Sequence, residues 1–277
     1  MPGPSPADAE LEVPGARLRY RDTGSGPALL LIHGWALDLD VWEPRALAWA
    51  TRLRVIRYDR RGFGLSTGEP SGARDVQDVL AVLEHLNVPS AVVVGASQGA
   101  RAAVRAAIAA PERVVALVLD GPSDELSPQL DVPFDEYRQL AHAGQMAAVR
   151  ERWGAHPFTR LHTIDPAARE LLAACISRYP GNDLIRSGAP APPVTLAECT
   201  CPVLVMAGAW DLESRRASSA ALARTLRRAE HVLIPAAGHL AHLDQPDAYD
   251  RAVLPFFQRV FAALGNGRAG LGEPRRG

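Results

Sequence analysis

Val92-Val93-Val94-Gly95-Ala96-Ser97-Gln98-Gly99 is the stretch on which the reading of this chain turns. A short β-branched run stops at a serine flanked by small residues, and an alanine-rich helical pattern follows at once. That order reads as strand, sharp turn and helix, with Ser97 at the apex. Such a turn holds the serine in a strained backbone conformation, at a cost on the order of 1–3 kcal/mol. The residues two before and two after the serine approach so closely that only very small side chains fit, and Gly95 and Gly99 stand there. The helix start behind Ser97 offers free backbone N–H groups and the positive end of a helix dipole. In an isolated loop the same letters would be an ordinary Gly/Ser turn. Between a strand and a helix they are the G-x-S-x-G turn that exposes a nucleophilic hydroxyl.

Working outward, Ala28–Ile32 and Val55–Tyr58 read as strands buried on both faces, as do Ala91–Val94, Val114–Leu119 and Pro202–Ala207. Helical patterns lie between them, near residues 40–50, 74–86 and 98–109 and again near 218–228. A strand at His231–Pro235 and a helix from Pro246 to Leu264 complete the series. Strands alternating with helices predict a mostly parallel central sheet flanked by helices on both faces. Ligands of such sheets gather beyond the carboxyl ends of the strands, where His33, Asp59, Ser97 and Asp120 all fall. Leu11–Val13 and Arg17–Arg21 alternate like an edge hairpin, and residues 1–10 are expected to be unstructured. The rhythm breaks over residues 122–187, where helical patterns at Asp135–His142, Gln145–Trp153 and Pro166–Tyr179 occur without a strand. This predicts a helical insertion between two parts of one core, residues 11–121 and 188–264, with an extended return linker at Gly188–Pro193. The tail, residues 265–277, is rich in glycine and arginine and is expected to be unstructured.

With 277 residues, 47% of them hydrophobic, the chain suits one globular domain with an insertion. A net charge of −1 gives no pull toward nucleic acid or an anionic membrane surface. No apolar run approaches the length of a membrane span, and the Pro-rich start lacks the features of a signal peptide. Cys175, Cys199 and Cys201 are odd in number and lack metal or disulfide spacing, which points to reduced thiols in a cytoplasmic protein. The basic residues are all arginine, which excludes Schiff-base, pyridoxal, P-loop and Ser–Lys chemistry. Paired carboxylates for glycoside cleavage and H-E-x-x-H metal spacing are also missing, so neither cofactor nor metal is expected. The partner is expected to be a small-molecule substrate, with a homodimer left open.

A serine at neutral pH needs a base, and the base needs a group that orients it. Of the eight histidines, His239 in Ala237-Gly238-His239 is the best placed, on a loop just past the last strand. His242 is its rival, at the entrance to the final helix. Asp211 lies just beyond the strand Pro202–Ala207 and suits the third position, with Glu213 and Asp120 as rivals. Negative charge developing on a carbonyl oxygen needs two donors. The backbone N–H groups of Gln98, at the helix start, and Trp35, after His33-Gly34, are placed for this. His33 reads as a loop-fixing residue rather than a second base, and Asp59-Arg60-Arg61-Gly62-Phe63-Gly64 as a loop bracing the serine turn rather than an anion-binding loop. Trp35, Phe134, Tyr137, Trp153, Phe158 and Leu161 could wall an apolar substrate pocket, or equally form the core of the insertion. The insertion carries nine acidic residues and seven arginines, a balance that gives no clear vote for an anionic substrate, though one well-placed arginine could still bind it.

These pieces together resemble the α/β-hydrolase superfamily, from about Leu11 to Leu264. The motifs that carry the resemblance are His33-Gly34-Trp35, Asp59 to Ser66, Gly95 to Gly99, Asp211 and Gly238-His239. The resemblance implies an α/β-hydrolase fold with a helical lid at residues 122–187. It also implies a Ser97–His239–Asp211 triad and a covalent acyl-enzyme. Within the superfamily the chain is similar to the small esterases, enol-lactonases and carbon–carbon-bond hydrolases. Ester or lactone hydrolysis is the default. Carbon–carbon cleavage, perhydrolysis, cyclisation or a non-catalytic receptor are alternatives on the same fold. Ala100 stands where many members have a second glycine, and His33-Gly34-Trp35 replaces the glycine-rich oxyanion motif of many lipases.

Overall fold

The structure, a computed structural model, describes residues 7–122, 131–186 and 188–269. Eight strands form one sheet in the order β1-β2-β4-β3-β5-β6-β7-β8. They are β1 Ala9–Val13, β2 Ala16–Thr23, β3 Ala28–Ile32, β4 Arg54–Tyr58, β5 Ala91–Ala96, β6 Val114–Asp120, β7 Val203–Gly208 and β8 Ala229–Ile234. The β1/β2 and β2/β4 pairs are antiparallel, and every pair from β4 to β8 is parallel. The helices are α1 Glu43–Trp49, α2 Asp75–His85, α3 Gln98–Ala109, α4 Phe134–His142, α5 Met146–Gly154, α6 Pro166–Arg178, α7 Asn182–Ile185, α8 Glu213–Thr225, α9 Ala241–Asp244 and α10 Pro246–Ala269. Helices α4 to α7 lie between β6 and β7, where the insertion is expected.

The continuous apolar runs have a direct cause. Successive side chains of a strand point to opposite faces, and both faces of this sheet are covered. Leu29 and Leu31 enter one core while Leu30 and Ile32 enter the other, and Val92 and Val94 part from Val93 in the same way. The core that holds Leu29 also receives the aromatic residues of α4 and α5 and the apolar side of α6. No helix of the described residues is long and apolar enough to cross a membrane.

Four expectations need correction. Strand β1 begins at Ala9, inside the segment expected to be unstructured, because Ala9 and Glu10 pair with Tyr20 and Arg19. Asp8 just ahead of it is held by Arg19 at 2.8 Å and Arg21 at 2.5 Å. The rest of that segment, residues 1–6, lies outside the described residues. Helix α10 continues past Gly265 to Ala269, because extending an established helix is far easier than starting one. Residues 270–277 lie outside the described residues, as do 123–130 and 187 of the insertion. Helix α8 starts at Glu213 rather than Ser218, its glutamate suiting the positive end of the helix. The strand after it accordingly starts two residues early, at Ala229.

Candidate active site

Ser97 sits between β5 and α3 with φ 49° and ψ −115°, a conformation that L-residues rarely adopt. Its N–H donates to the carbonyl of Asp120 on the neighbouring strand at 2.7 Å. The small residues around it are obligatory. A Cβ at Gly95 would lie 2.6 Å from the Gly99 carbonyl oxygen, and one at Gly99 would lie 2.6 Å from that of His33. The His33–Trp35 loop presses on the serine, since a Cβ at Gly34 would lie 3.3 Å from the Ser97 Cβ.

His33 holds that loop in place. Its Nδ1 lies 2.8 Å from the Gly34 carbonyl, and its Nε2 accepts the Arg60 N–H at 2.9 Å. With one nitrogen donating and the other accepting, the ring is neutral. Burial, reinforced by the Arg60 charge, pushes its pKa down to about 3. Arg60 also donates to the Gln98 side-chain oxygen at 2.6 Å, so the same arginine steadies both sides of the serine turn. Gln98 is the first residue of α3, where backbone N–H groups have no intrahelical partner.

His239 and Asp211 meet from two loops 28 residues apart. The Nδ1 of His239 lies 2.7 Å from Asp211 Oδ2, and the other carboxylate oxygen accepts the Leu212 N–H at 2.7 Å. Both residues are buried. The pairing assigns the ring proton to Nδ1 and leaves Nε2 as an acceptor. Gly121 makes room for the ring, because a Cβ there would lie 2.9 Å from the His239 Cε1. Phe158 packs against the ring at a tilt of 31°, its centroid 4.2 Å from that of His239. Asp244 fixes the loop by accepting the Gly238 N–H at 2.7 Å, and it reaches the insertion by accepting the His162 N–H at 2.6 Å.

The rival groups are engaged elsewhere. His242 Nδ1 pairs with Asp120 Oδ2 at 3.2 Å and stacks on Trp42 with centroids 4.2 Å apart. Glu213 is exposed. Ser97 and His239 line one cavity, together with Gly34, Trp35, Gln98, Phe134, Trp153, Phe158 and Arg215. Its free volume is small, about 30 Å³. Two aromatic residues named from the sequence are not on its wall. Tyr137 lies behind Trp35, stacked on it at 5.9 Å, because the side of α4 that carries it meets the indole rather than open space. Leu161 faces a separate groove beside α5 and α6. Among the described residues no group of three or more His, Cys, Asp or Glu side chains is arranged to hold a metal ion.

Three neighbours of the site escaped the sequence reading. Asp183 on α7 is bound by the Trp35 indole, Asp244 ties the histidine loop to the insertion, and Arg215 reaches the cavity wall. Arg215 shares the inward side of α8 with Ser219 and Leu222. Its position was hidden because the sequence places the start of that helix five residues too late, leaving Arg215 in an apparent loop.

A doubly covered, mostly parallel sheet with a serine turn after β5 and a paired histidine and aspartate after β8 and β7 defines an α/β-hydrolase class of protein. The model of the alpha/beta hydrolase family matches residues 29–252, and the chain belongs to that family. It is 28% identical over 257 residues to a pimeloyl-[acyl-carrier protein] methyl ester esterase of Pectobacterium carotovorum, covering 88% of this chain and 99% of that protein. It is 26% identical over 265 residues to 3-oxoadipate enol-lactonase 2 of Acinetobacter baylyi, covering 87% and 93% of the two chains. Among solved structures, a thermophilic esterase from Thermogutta terrifontis superimposes with a TM-score of 0.77 at 25% identity, covering 92% of this chain and 99% of that one.

Proposed function

We propose that this protein is a serine hydrolase of small esters or lactones. Ser97 is the nucleophile, His239 the general base and Asp211 the residue that orients it. The observation that carries the reading is the buried 2.7 Å pair of His239 and Asp211, whose imidazole lines the same cavity as the strained serine. In this reading the Ser97 hydroxyl attacks the carbonyl carbon as His239 Nε2 takes its proton. The Asp211 carboxylate keeps Nδ1 protonated and stabilises the imidazolium. The Gln98 and Trp35 backbone N–H groups receive the oxyanion, such a donor being worth about 3–4 kcal/mol. The imidazolium gives its proton to the leaving oxygen, and water then releases the acyl group by the same route in reverse. The relatives matched along nearly their full length are named as an ester hydrolase and an enol-lactonase, which supports this class of chemistry.

The cavity beside Ser97 and His239 is narrow, and in this reading α4 to α6 part from the core as substrate enters. This makes the insertion a lid in function. The test is labelling with a fluorophosphonate, followed by turnover of short p-nitrophenyl esters. One adduct on Ser97, and loss of both label and turnover in Ser97→Ala, is the expected result. A folded protein that takes no label and turns over no ester fits a receptor instead.

A further inference from the structure

We propose that Arg215 on the cavity wall binds a carboxylate of the substrate, so that the substrates are esters or lactones bearing a free acid group. This rests on the hydrolase reading for the reaction, but not for the binding.

Every other residue on the described wall of the cavity is apolar or formally neutral, His239 included. Arg215 is the one permanent charge there and is only 4% exposed. A guanidinium withdrawn from water needs a counter-charge and hydrogen-bond acceptors for its five N–H groups. Among the described residues Arg215 has little of either. Its Nε is buried with no hydrogen-bond partner. Its nearest carboxylate is Asp131, 3.6 Å from an Nη, beyond good hydrogen-bonding distance, and Ser214 already donates to that carboxylate oxygen at 2.9 Å. The guanidinium carbon lies 4.8 Å from the centre of the Phe158 ring, which packs against His239. Burial lowers the pKa of this arginine, although Asp131 and Asp211 oppose the shift.

A carboxylate fits what is missing. It can accept from the unpaired Nε and an adjacent Nη at once, in the side-on bidentate geometry that arginine and carboxylate share. Arg215 packs on the Phe158 ring, which in turn contacts His239, so the anion would lie in the same cavity as the reacting groups. The balanced charge of the insertion gave no hint of this, because the arginine belongs to the core helix α8.

The test compares pairs of esters in the intact protein. p-Nitrophenyl hemiglutarate is set against p-nitrophenyl pentanoate, and 4-carboxyphenyl acetate against phenyl acetate. These place the carboxylate on the acyl group or on the leaving group. In Arg215→Met, kcat/KM for at least one acid-bearing ester should fall about tenfold more than for its neutral counterpart. Arg215→Lys should recover part of the difference. Glutarate should also compete with pentanoate ester turnover in the wild-type protein. Equal losses in both pairs, or no competition by glutarate, would overturn the proposal. If no ester is turned over and Ser97 takes no label, the hydrolase reading fails by itself. The binding claim is then decided by glutarate raising the melting temperature of the wild type but not of Arg215→Met, and equal shifts in the two proteins sink it.

Discussion

The indole N–H of Trp35 donates to the Asp183 carboxylate at 2.6 Å, joining the loop beside the nucleophile to a helix 148 residues further along the chain. The other Asp183 oxygen accepts the Tyr179 hydroxyl at 2.5 Å, and burial raises the pKa of this carboxyl. A buried carboxylate held by these two neutral side-chain donors depends strongly on each. Trp35→Phe keeps the ring packing against Phe134 and Trp153 but leaves one buried oxygen without a donor. We expect a loss of about 1–3 kcal/mol in denaturant unfolding. Ester turnover should fall as well, because the Trp35 N–H no longer sits on an anchored loop. Wild-type stability in that variant would remove Asp183 as the anchor.

Asp211 and Asp120 are both buried and both touch a histidine, yet they predict different losses. Asp211→Asn should reduce kcat by about 10⁴, because an amide no longer selects the Nδ1–H form of His239. Asp120→Asn should act on stability through His242 and leave kcat within about tenfold, an effect of one unmade buried hydrogen bond. Steady-state kinetics on the two proteins decides the matter, and the reverse order of losses would reassign the acid.

The serine turn makes a prediction about backbone contact. The Cβ of Gly95→Ala would stand 2.6–2.8 Å from main-chain atoms of Gly99 and Ala100, which cannot rotate away. This variant should lose at least about 2 kcal/mol in thermal unfolding. Ser97→Gly should gain about 1 kcal/mol while losing turnover, since glycine adopts φ 49° without strain. A destabilised Ser97→Gly would mean that the turn stores no strain.

His33 should stay neutral well into acid. Its pKa is pushed down to about 3 by burial and by Arg60, against an ordinary 6.5. Between those values the unfolded chain binds a proton that the folded chain does not, so stability falls with acid by up to about 1.4 kcal/mol per pH unit. Asp59 works the other way. Burial, with Asp38 nearby, pushes its carboxyl up to about 6, so the folded form takes up its proton first and acid favours the fold from pH 6 down to 3.8. Imidazole nitrogen shifts over pH 8 to 5 should show no titration at His33. A midpoint near 6.5 would break the hydrogen-bond assignment.

Much of the fold was legible because it is local. Val92 to Gly99 carries its own strand, turn and helix, and each requirement is met within eight neighbouring residues. The buried strands betrayed themselves by lacking alternation, which follows from cover on both faces. Ser97, His239 and Asp211 could be named because the strand ends that carry them follow motifs. Ala9 could not be placed, since its strand exists only through pairing with Tyr20. Tyr137 and Phe134 could not be separated, because helical spacing puts both on one side and says nothing of what that side meets.

The amino-acid order alone settled the alternation of strands and helices, the place of the insertion and the strained serine, all consequences of short-range sterics and hydrophobic period. Which aromatic residues wall the cavity, how nearly the insertion fills it, and that Arg215 and Asp183 face the site were decided by packing between segments up to 148 residues apart. A side chain's partner across such a distance depends on where two elements finally rest against each other, and no local pattern records that.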